Sequence, residues 1–130
     1  MENDNYDLII TNLVNWDMVW HTWVIPAIHK AVKTVDDCIW KLVECGLRNG
    51  YDLLVFADHG NAEDQREEWK TSHTTNPVPF VIVSNDKYEL REWWSLADVA
   101  PTVLDLLWVE KPEEIPENHT IMSIYSFISA

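Results

Sequence analysis

Five side chains in this sequence combine residue types and spacing that are typical of metal coordination. Asp17 and His21 are four positions apart, so they share one face of a helical turn. Asp58 and His59 are adjacent and directly follow an apolar run, and His73 lies in the segment SHTTNPVP before another apolar run. Mixed carboxylate and imidazole ligands suit Mn²⁺ or Zn²⁺, and they suit Ca²⁺ poorly. These residues therefore favour a transition-metal site.

Each of these signals also has an ordinary structural alternative. An Asp-x-x-x-His pair on a helix is often a surface hydrogen bond, an Asp-His pair is common in plain turns, and His73 could bond to the backbone of its own loop. The other two histidines, His29 in a predicted helix and His119 near the end of the sequence, are interpreted as structural. The metal hypothesis gains weight because three separate signals are expected near strand ends.

Hydrophobic periodicity predicts the elements that must position these residues. The apolar runs Tyr6–Thr11 and Tyr51–Ala57 are typical of buried strands. Between them, from Ile25 to Leu47, apolar residues recur every three or four positions, as in an amphipathic helix. A strand, a helix and a second strand predict an α/β fold with a mostly parallel sheet flanked by helices. Polar clusters that follow both strands should then meet at one edge of this sheet.

Two further elements are predicted beyond the second polar cluster. Phe80–Ser84 is a third apolar run, introduced by Pro77 and Pro79. Pro101 is suited to the first position of a helix, which predicts a second helix over Thr102–Leu107. The sequence therefore continues the alternation of strands and helices that is expected of an α/β domain.

Composition and charge limit the classes of partner. The 130 residues have a net charge of −13 and include only nine Lys and Arg, which argues against binding to a nucleic-acid backbone. No apolar run approaches the roughly 18 residues of a membrane helix. Cys38 and Cys45 are two helical turns apart, about 10 Å, which is too far for a disulfide and fits a reducing compartment. We therefore expect a cytoplasmic protein without nucleic-acid or membrane partners.

Longer blocks of the sequence resemble one known family. The segments NWDMVWHTW, AVKTVDDCIWKLVE, LLVFADHGNAE, SHTTNPVPFVIV and SLADVAPTVLDLLWVEKPEE occur in this order. From about Tyr6 to Glu114 the chain resembles the C-terminal part of the phosphatase domain of cofactor-independent (2,3-bisphosphoglycerate-independent) phosphoglycerate mutase. This family belongs to the alkaline-phosphatase-like metalloenzymes. The ADHGNAE and HTTNPVP blocks are the most specific part of the resemblance.

The resemblance implies a particular activity and set of metal ligands. It implies an isomerase of glycolysis that interconverts 3-phosphoglycerate and 2-phosphoglycerate through a phosphoserine intermediate. It also implies two Mn²⁺ ions and no organic cofactor. Asp17, His21 and His73 would bind the first ion, and Asp58 and His59 would bind the second. The complete enzyme is expected to be a monomer with an alkaline-phosphatase-like fold.

The same resemblance implies that this sequence contains only part of the catalytic machinery. In the family, the nucleophilic serine and a further aspartate ligand come from an N-terminal segment, and the substrate-binding arginines come from an inserted transferase domain. Neither region is recognisable here, so no catalytic residue is assigned. We expect residues 1–130 to be a C-terminal metal-binding fragment of a phosphatase-type domain that is inactive alone. Two alternatives remain open: another enzyme of the superfamily, such as a phosphopentomutase or a phosphatase, and a non-catalytic α/β interaction module.

Tryptophan and glycine occur in unusual numbers. The chain has eight tryptophans and three glycines, whereas average usage predicts roughly nine glycines. Seven tryptophans stand where the family that the chain resembles typically or commonly has glycine: Trp16, Trp20, Trp23, Trp40, Trp93, Trp94 and Trp108. We interpret them as UGA codons that the source organism reads as glycine, with Trp69 as a genuine tryptophan.

Overall fold

The computed structural model of the chain describes residues 6–115 and the backbone of residues 122 and 123. The chain divides into two compact units, Met1–Asn85 and Asp86–Ala130. The elements of the first unit are α1 (Asn15–Trp20), α2 (Ile25–Arg48), β1 (Leu53–Phe56), a 3₁₀ turn (Glu67–Trp69) and β2 (Phe80–Val83). All five candidate metal ligands belong to this first unit.

Helix α2 confirms the helix that the apolar repeat predicted. It runs from Ile25 to Arg48 and has a proline in its first turn, where the missing N–H removes no hydrogen bond. Beyond its C-terminal end, Gly50 has φ 74°, a left-handed conformation that stops helices and favours glycine. Cys38 and Cys45, both on this helix, are free thiols, as their spacing predicted.

A small apolar core joins α1, α2 and the loop that follows β1. Trp20 and Ile28 are fully buried, and Ala62 packs with them. The indole Nε1 of Trp20 also donates a hydrogen bond to the carbonyl oxygen of Ser72, at 2.8 Å. Trp20 directly precedes His21, and Ser72 directly precedes His73. This core therefore holds the segments that carry both histidines in place.

The sheet differs from its prediction, although the α/β class is confirmed. Strands β1 and β2 pair antiparallel, with Leu53 opposite Val83 and Phe56 opposite Phe80. The segment Tyr6–Thr11 forms no strand. Within the described residues, both sheets are two-stranded and antiparallel, so the prediction of a mostly parallel sheet is wrong for this part of the chain.

The connections explain why the parallel arrangement does not form. Parallel strands need a long crossover such as α2, which leads from the Tyr6–Thr11 segment to β1. That segment has no ladder of backbone hydrogen bonds, and Ile10 is 84% exposed. Strand β1 is instead joined to β2 by the polar segment 57–79, which reverses the direction of the chain. The apolar composition of Tyr6–Thr11 therefore predicted its propensity to form a strand. It did not show whether a neighbouring strand was present to pair with it.

The second unit contains β3 (Glu89–Leu90), a 3₁₀ turn (Leu96–Asp98), α3 (Val99–Leu106) and β4 (Met122–Ser123). Strand β3 pairs antiparallel with β4. Helix α3 confirms the second predicted helix but begins at Val99, because the preceding turn already has helical geometry and places Pro101 within the first turn of the helix. In the part of the chain that the structure describes, we find no helix with the length and apolar content of a membrane span.

Candidate metal centre

One helix and two loops of the first unit bring the candidate ligands together. Helix α1 carries Asp17, and His21 is the residue at which this helix ends. Asp58 and His59 lie in the loop that follows β1, and His73 lies in the loop that precedes β2. The strand β1 ends before Asp58 because β2 pairs with it only as far as residue 56, which leaves the following polar residues free to turn.

The carboxylate oxygen Oδ1 of Asp17 is the centre of this cluster. It lies 3.3 Å from Nε2 of His73, 3.5 Å from Nε2 of His21 and 3.8 Å from Nε2 of His59. The Nε2 atoms of His21 and His73 are 3.3 Å apart. Oδ1 of Asp58 lies 3.7 Å from Nε2 of His59, at the more exposed end of the cluster. The structure therefore places all five predicted residues in one continuous group, with His59 between the two aspartates.

Backbone carbonyl groups determine which nitrogen of two histidines faces the cluster. Nδ1 of His21 lies 2.9 Å from the carbonyl oxygen of Thr71, and Nδ1 of His59 lies 3.3 Å from that of Gly60. Because a carbonyl oxygen can only accept, we assign the hydrogen of each neutral ring to Nδ1, so that Nε2 presents a lone pair towards Asp17. Metal-binding histidines commonly donate their other N–H to a backbone carbonyl in this way.

The distances and donor types fit a divalent metal ion. When the rings are neutral, their Nε2 lone pairs face the Asp17 carboxylate, an arrangement that a cation between them would stabilise. Two ligand atoms about 2.1 Å from one ion, at right or tetrahedral angles, lie about 3.0–3.4 Å from each other. The observed separations of 3.3–3.8 Å around Asp17 Oδ1 are close to this range. Asp17, His59 and His73 can each offer an atom within 4.8 Å of the others.

The sequence analysis did not predict two residues that interact with this centre or with its loops. Asn61 donates a hydrogen bond from Nδ2 to Oδ1 of Asp17 at 3.0 Å. Glu63 accepts hydrogen bonds from the loop that carries His73. Burial raises the pKa of the Glu63 carboxyl group, but hydrogen bonds from Thr74, Asn76 and nearby backbone N–H groups outweigh burial and hold this pKa below its usual value. The one sequence feature that could have indicated Asn61 and Glu63 is their position in the segment GNAE, which directly follows Asp58 and His59.

Comparison with known proteins shows the family to which the chain belongs. The family model described as "Metalloenzyme superfamily" matches residues 1–111. A 2,3-bisphosphoglycerate-independent phosphoglycerate mutase of Clostridium botulinum is 46% identical over 125 residues, which are 93% of this chain and 25% of the relative. The enzyme of the same name from Pseudomonas fluorescens is 45% identical over 119 residues, which are 88% of this chain and 23% of the relative.

A solved structure gives the same result at the level of the fold. The chain is similar to Leishmania mexicana phosphoglycerate mutase, studied at low cobalt concentration, with a TM-score of 0.75 and 29% identity over 88% of this chain and 24% of that one. The chain spans about a quarter of the length of these relatives. The resemblance predicted from the sequence blocks is therefore confirmed. Taken with the cluster around Asp17, the match over residues 1–111 shows that this chain belongs to the metalloenzyme superfamily.

Proposed function

We propose that residues 1–130 are the metal-binding part of a 2,3-bisphosphoglycerate-independent phosphoglycerate mutase. The complete enzyme would interconvert 3-phosphoglycerate and 2-phosphoglycerate through a phosphoserine intermediate. The observation that carries this proposal is the approach of three histidine Nε2 atoms to Asp17 Oδ1, within 3.8 Å, in a chain whose relatives bear that name. Because the chain spans about a quarter of those relatives, the activity is ascribed to the complete enzyme.

We assign the five ligands to two Mn²⁺ ions. Asp17, His21 and His73 would hold the first, which is supported by the separations of 3.3–3.5 Å among their facing atoms. Asp58 and His59, whose facing atoms are 3.7 Å apart, would hold the second. Oxygen and imidazole ligands suit Mn²⁺, which prefers about six ligands, so further ligands must come from water, substrate or other parts of the enzyme.

The residues of this chain orient and expose the donor atoms. Bound divalent ions would polarise phosphoryl oxygens and neutralise their charge. The backbone contacts of His21 and His59 hold each Nε2 towards Asp17. The side chains of Asp17, His21 and His73 are between 36% and 45% exposed, so an ion and a phosphorylated substrate can reach them.

We further propose that the complete enzyme acts in glycolysis in the cytoplasm, as a monomer. Its partner would be the phosphoglycerate substrate, without nucleic acid or membrane. The net charge of −13 argues against a nucleic-acid partner, and the two free thiols fit a reducing compartment such as the cytoplasm.

The proposed site can be tested with one histidine in the cluster and one outside it. We expect the 130-residue chain to bind Mn²⁺ and His59→Ala to weaken that binding by at least about tenfold, because a lost ligand should cost no less than a lost outer-sphere partner. His29→Ala, an exposed change on α2, is the matched control and should have no effect. Titration followed by the electron paramagnetic resonance of free Mn²⁺ measures both affinities. Equal binding by wild type and His59→Ala would remove His59 from the site.

A further inference from the structure

Asn61 is a buried polar residue that contacts the central oxygen of the candidate metal centre. Its Nδ2 donates to Oδ1 of Asp17 at 3.0 Å, the oxygen that the histidines face. Asn61 is only 7% exposed, and its own Oδ1 accepts the backbone N–H of Ala62, which determines which end of the amide faces Asp17. An amide NH₂ group is a donor with no lone pair available for an ion. Asn61 can therefore hold Asp17 without being a ligand itself.

Glu63 connects the loop of Asn61 to the loop that carries His73. Its Oε2 accepts the backbone N–H of Asn61 at 2.6 Å. Its Oε1 accepts hydrogen bonds from the hydroxyl group of Thr74 and from Nδ2 of Asn76, the latter at 2.9 Å. Although Glu63 is exposed as a residue, both of its carboxylate oxygens are therefore occupied by the two loops that carry candidate ligands.

The two loops are in direct contact at Gly60. The backbone N–H of Thr74 donates to the carbonyl oxygen of Gly60 at 2.8 Å. A Cβ atom at Gly60 would overlap Oγ1 of Thr74 and Oε1 of Glu63. The rings of His59 and His73 stack with their centroids 3.6 Å apart and their planes 15° apart. A small movement of either loop would therefore change the spacing of the two imidazoles.

We propose that Asn61 and Glu63 are positioning residues of the metal centre. Asn61 orients the carboxylate of Asp17, and Glu63 sets the separation of the loops that carry His59 and His73. This inference rests on the proposed metal-binding function. It names residues outside the set of ligands that hold the ligands in position. Removal of such outer-sphere partners typically lowers metal affinity about 10–100-fold. We expect effects of that size from changing either residue.

The test compares Mn²⁺ affinity with the fold of the metal-free protein. The variants are Asn61→Leu, which keeps the side-chain shape and removes both the donor to Asp17 and the acceptor of the Ala62 N–H, and Glu63→Gln, which keeps the shape and removes the charge and one acceptor oxygen. Their matched controls are Asn49→Leu after α2 and Glu67→Gln in the 3₁₀ turn, both at exposed residues. Calorimetric titration gives the dissociation constants, circular dichroism follows the metal-free fold, and pulsed electron paramagnetic resonance detects imidazole nitrogen bound to Mn²⁺.

A positioning role predicts a specific combination of results. Asn61→Leu and Glu63→Gln should bind Mn²⁺ about 10–100-fold more weakly, keep the nitrogen couplings of the bound histidines, and retain the circular dichroism of the metal-free wild type, while the controls bind normally. Unchanged affinity in both variants would overturn this inference alone. Loss of affinity only together with loss of the metal-free fold would also overturn it. A wild-type chain that does not bind Mn²⁺ would overturn the proposed function and this inference with it.

Discussion

Trp108 occupies the position after helix α3 that glycine usually takes. Its φ is 56°, in the left-handed region, and Trp23 has φ 55° after α1. The backbone N–H of Trp108 donates to the carbonyl of Asp105 at 3.1 Å, and that of Val109 donates to the carbonyl of Leu104 at 2.9 Å. These two bonds form a Schellman motif, in which the left-handed residue is most often glycine. An L residue in this conformation costs roughly 1–2 kcal/mol.

This backbone strain gives a prediction about stability. Trp108→Gly should raise the free energy of unfolding by up to about 1–2 kcal/mol, because the side chain is 85% exposed and its removal gives up little packing. Trp93→Gly is the control, since Trp93 is 80% exposed without a positive φ and should show no gain. Urea denaturation followed by circular dichroism measures both differences. A decrease in stability for Trp108→Gly would contradict the argument from strain.

The nucleotide sequence tests directly whether the excess tryptophans are misread glycine codons. If the excess tryptophans are glycines, UGA codons should encode Trp16, Trp20, Trp23, Trp40, Trp93, Trp94 and Trp108, and UGG should encode Trp69. The positive φ angles support this at two positions. Trp20 is different, because it is fully buried and hydrogen-bonded to Ser72, so its contacts do not argue for glycine. UGG codons at all seven positions would refute the hypothesis.

At the scale of the element, α3 depends on a buried carboxylate at its start. Asp98 is 3% exposed, and its Oδ2 accepts the backbone N–H and the hydroxyl group of Ser95 at 2.6 and 3.0 Å. Its Oδ1 lies 3.0 Å from Nη2 of Arg91. Burial raises the pKa of Asp98, but hydrogen bonds from Ser95 and the charge and hydrogen bond of Arg91 outweigh burial and hold the pKa below its usual value. The ionised form of Asp98 therefore stabilises the turn that begins α3.

This carboxylate predicts how the stability of α3 depends on pH. Because the pKa of Asp98 is lower in the folded state, its contribution is complete above the unfolded value of about 3.9 and is lost as pH falls through the folded value. Asp98→Asn should destabilise α3 by about 1–3 kcal/mol at pH 7 and remove this dependence. Exchange of the α3 amide hydrogens measures the effect, with exposed Glu92→Gln as the control. Equal protection in Asp98→Asn and wild type would show that the carboxylate does not stabilise α3.

At the scale of the whole molecule, the described chain exposes much apolar surface. Large hydrophobic residues are exposed near the start of the first unit, including Tyr6 at 64%, Ile10 at 84% and Val14 at 50%. Leu8 and Ile9, which lie between Tyr6 and Ile10, are 46% and 40% exposed, and a contiguous exposed apolar patch often marks a surface that contacts other protein. This observation agrees with the proposal that residues 1–130 act as part of a larger enzyme about four times as long.

That proposal predicts metal binding without mutase activity. We expect the purified 130-residue chain to bind Mn²⁺ and to convert no 3-phosphoglycerate, because the family resemblance assigns the nucleophilic serine and the substrate-binding arginines to segments outside these residues. An assay coupled to consumption of 2-phosphoglycerate, with excess Mn²⁺, measures the activity. The complete Clostridium botulinum relative serves as the positive control. Conversion by the 130-residue chain would show that its own residues supply a nucleophile.

The sequence by itself determined the features that depend on local chemistry. The apolar repeat predicted α2 to within one residue at each end, because one helical face must be buried along the whole element. Residue types and the spacing of Asp17 and His21 predicted candidate ligands, since carboxylate and imidazole groups keep their donor chemistry in any fold. The ordered blocks identified the family resemblance before the fold was known.

Only the tertiary structure decided which segments meet. Strand β1 pairs with β2 and not with Tyr6–Thr11, because strand pairing depends on a neighbour whose presence no local pattern reports. The contact of Asn61 with Asp17 spans 44 positions in sequence, and neither residue alone carries a signal of it. Local periodicity reports which side of an element is buried, whereas the partners across that buried surface are set by the path of the whole chain.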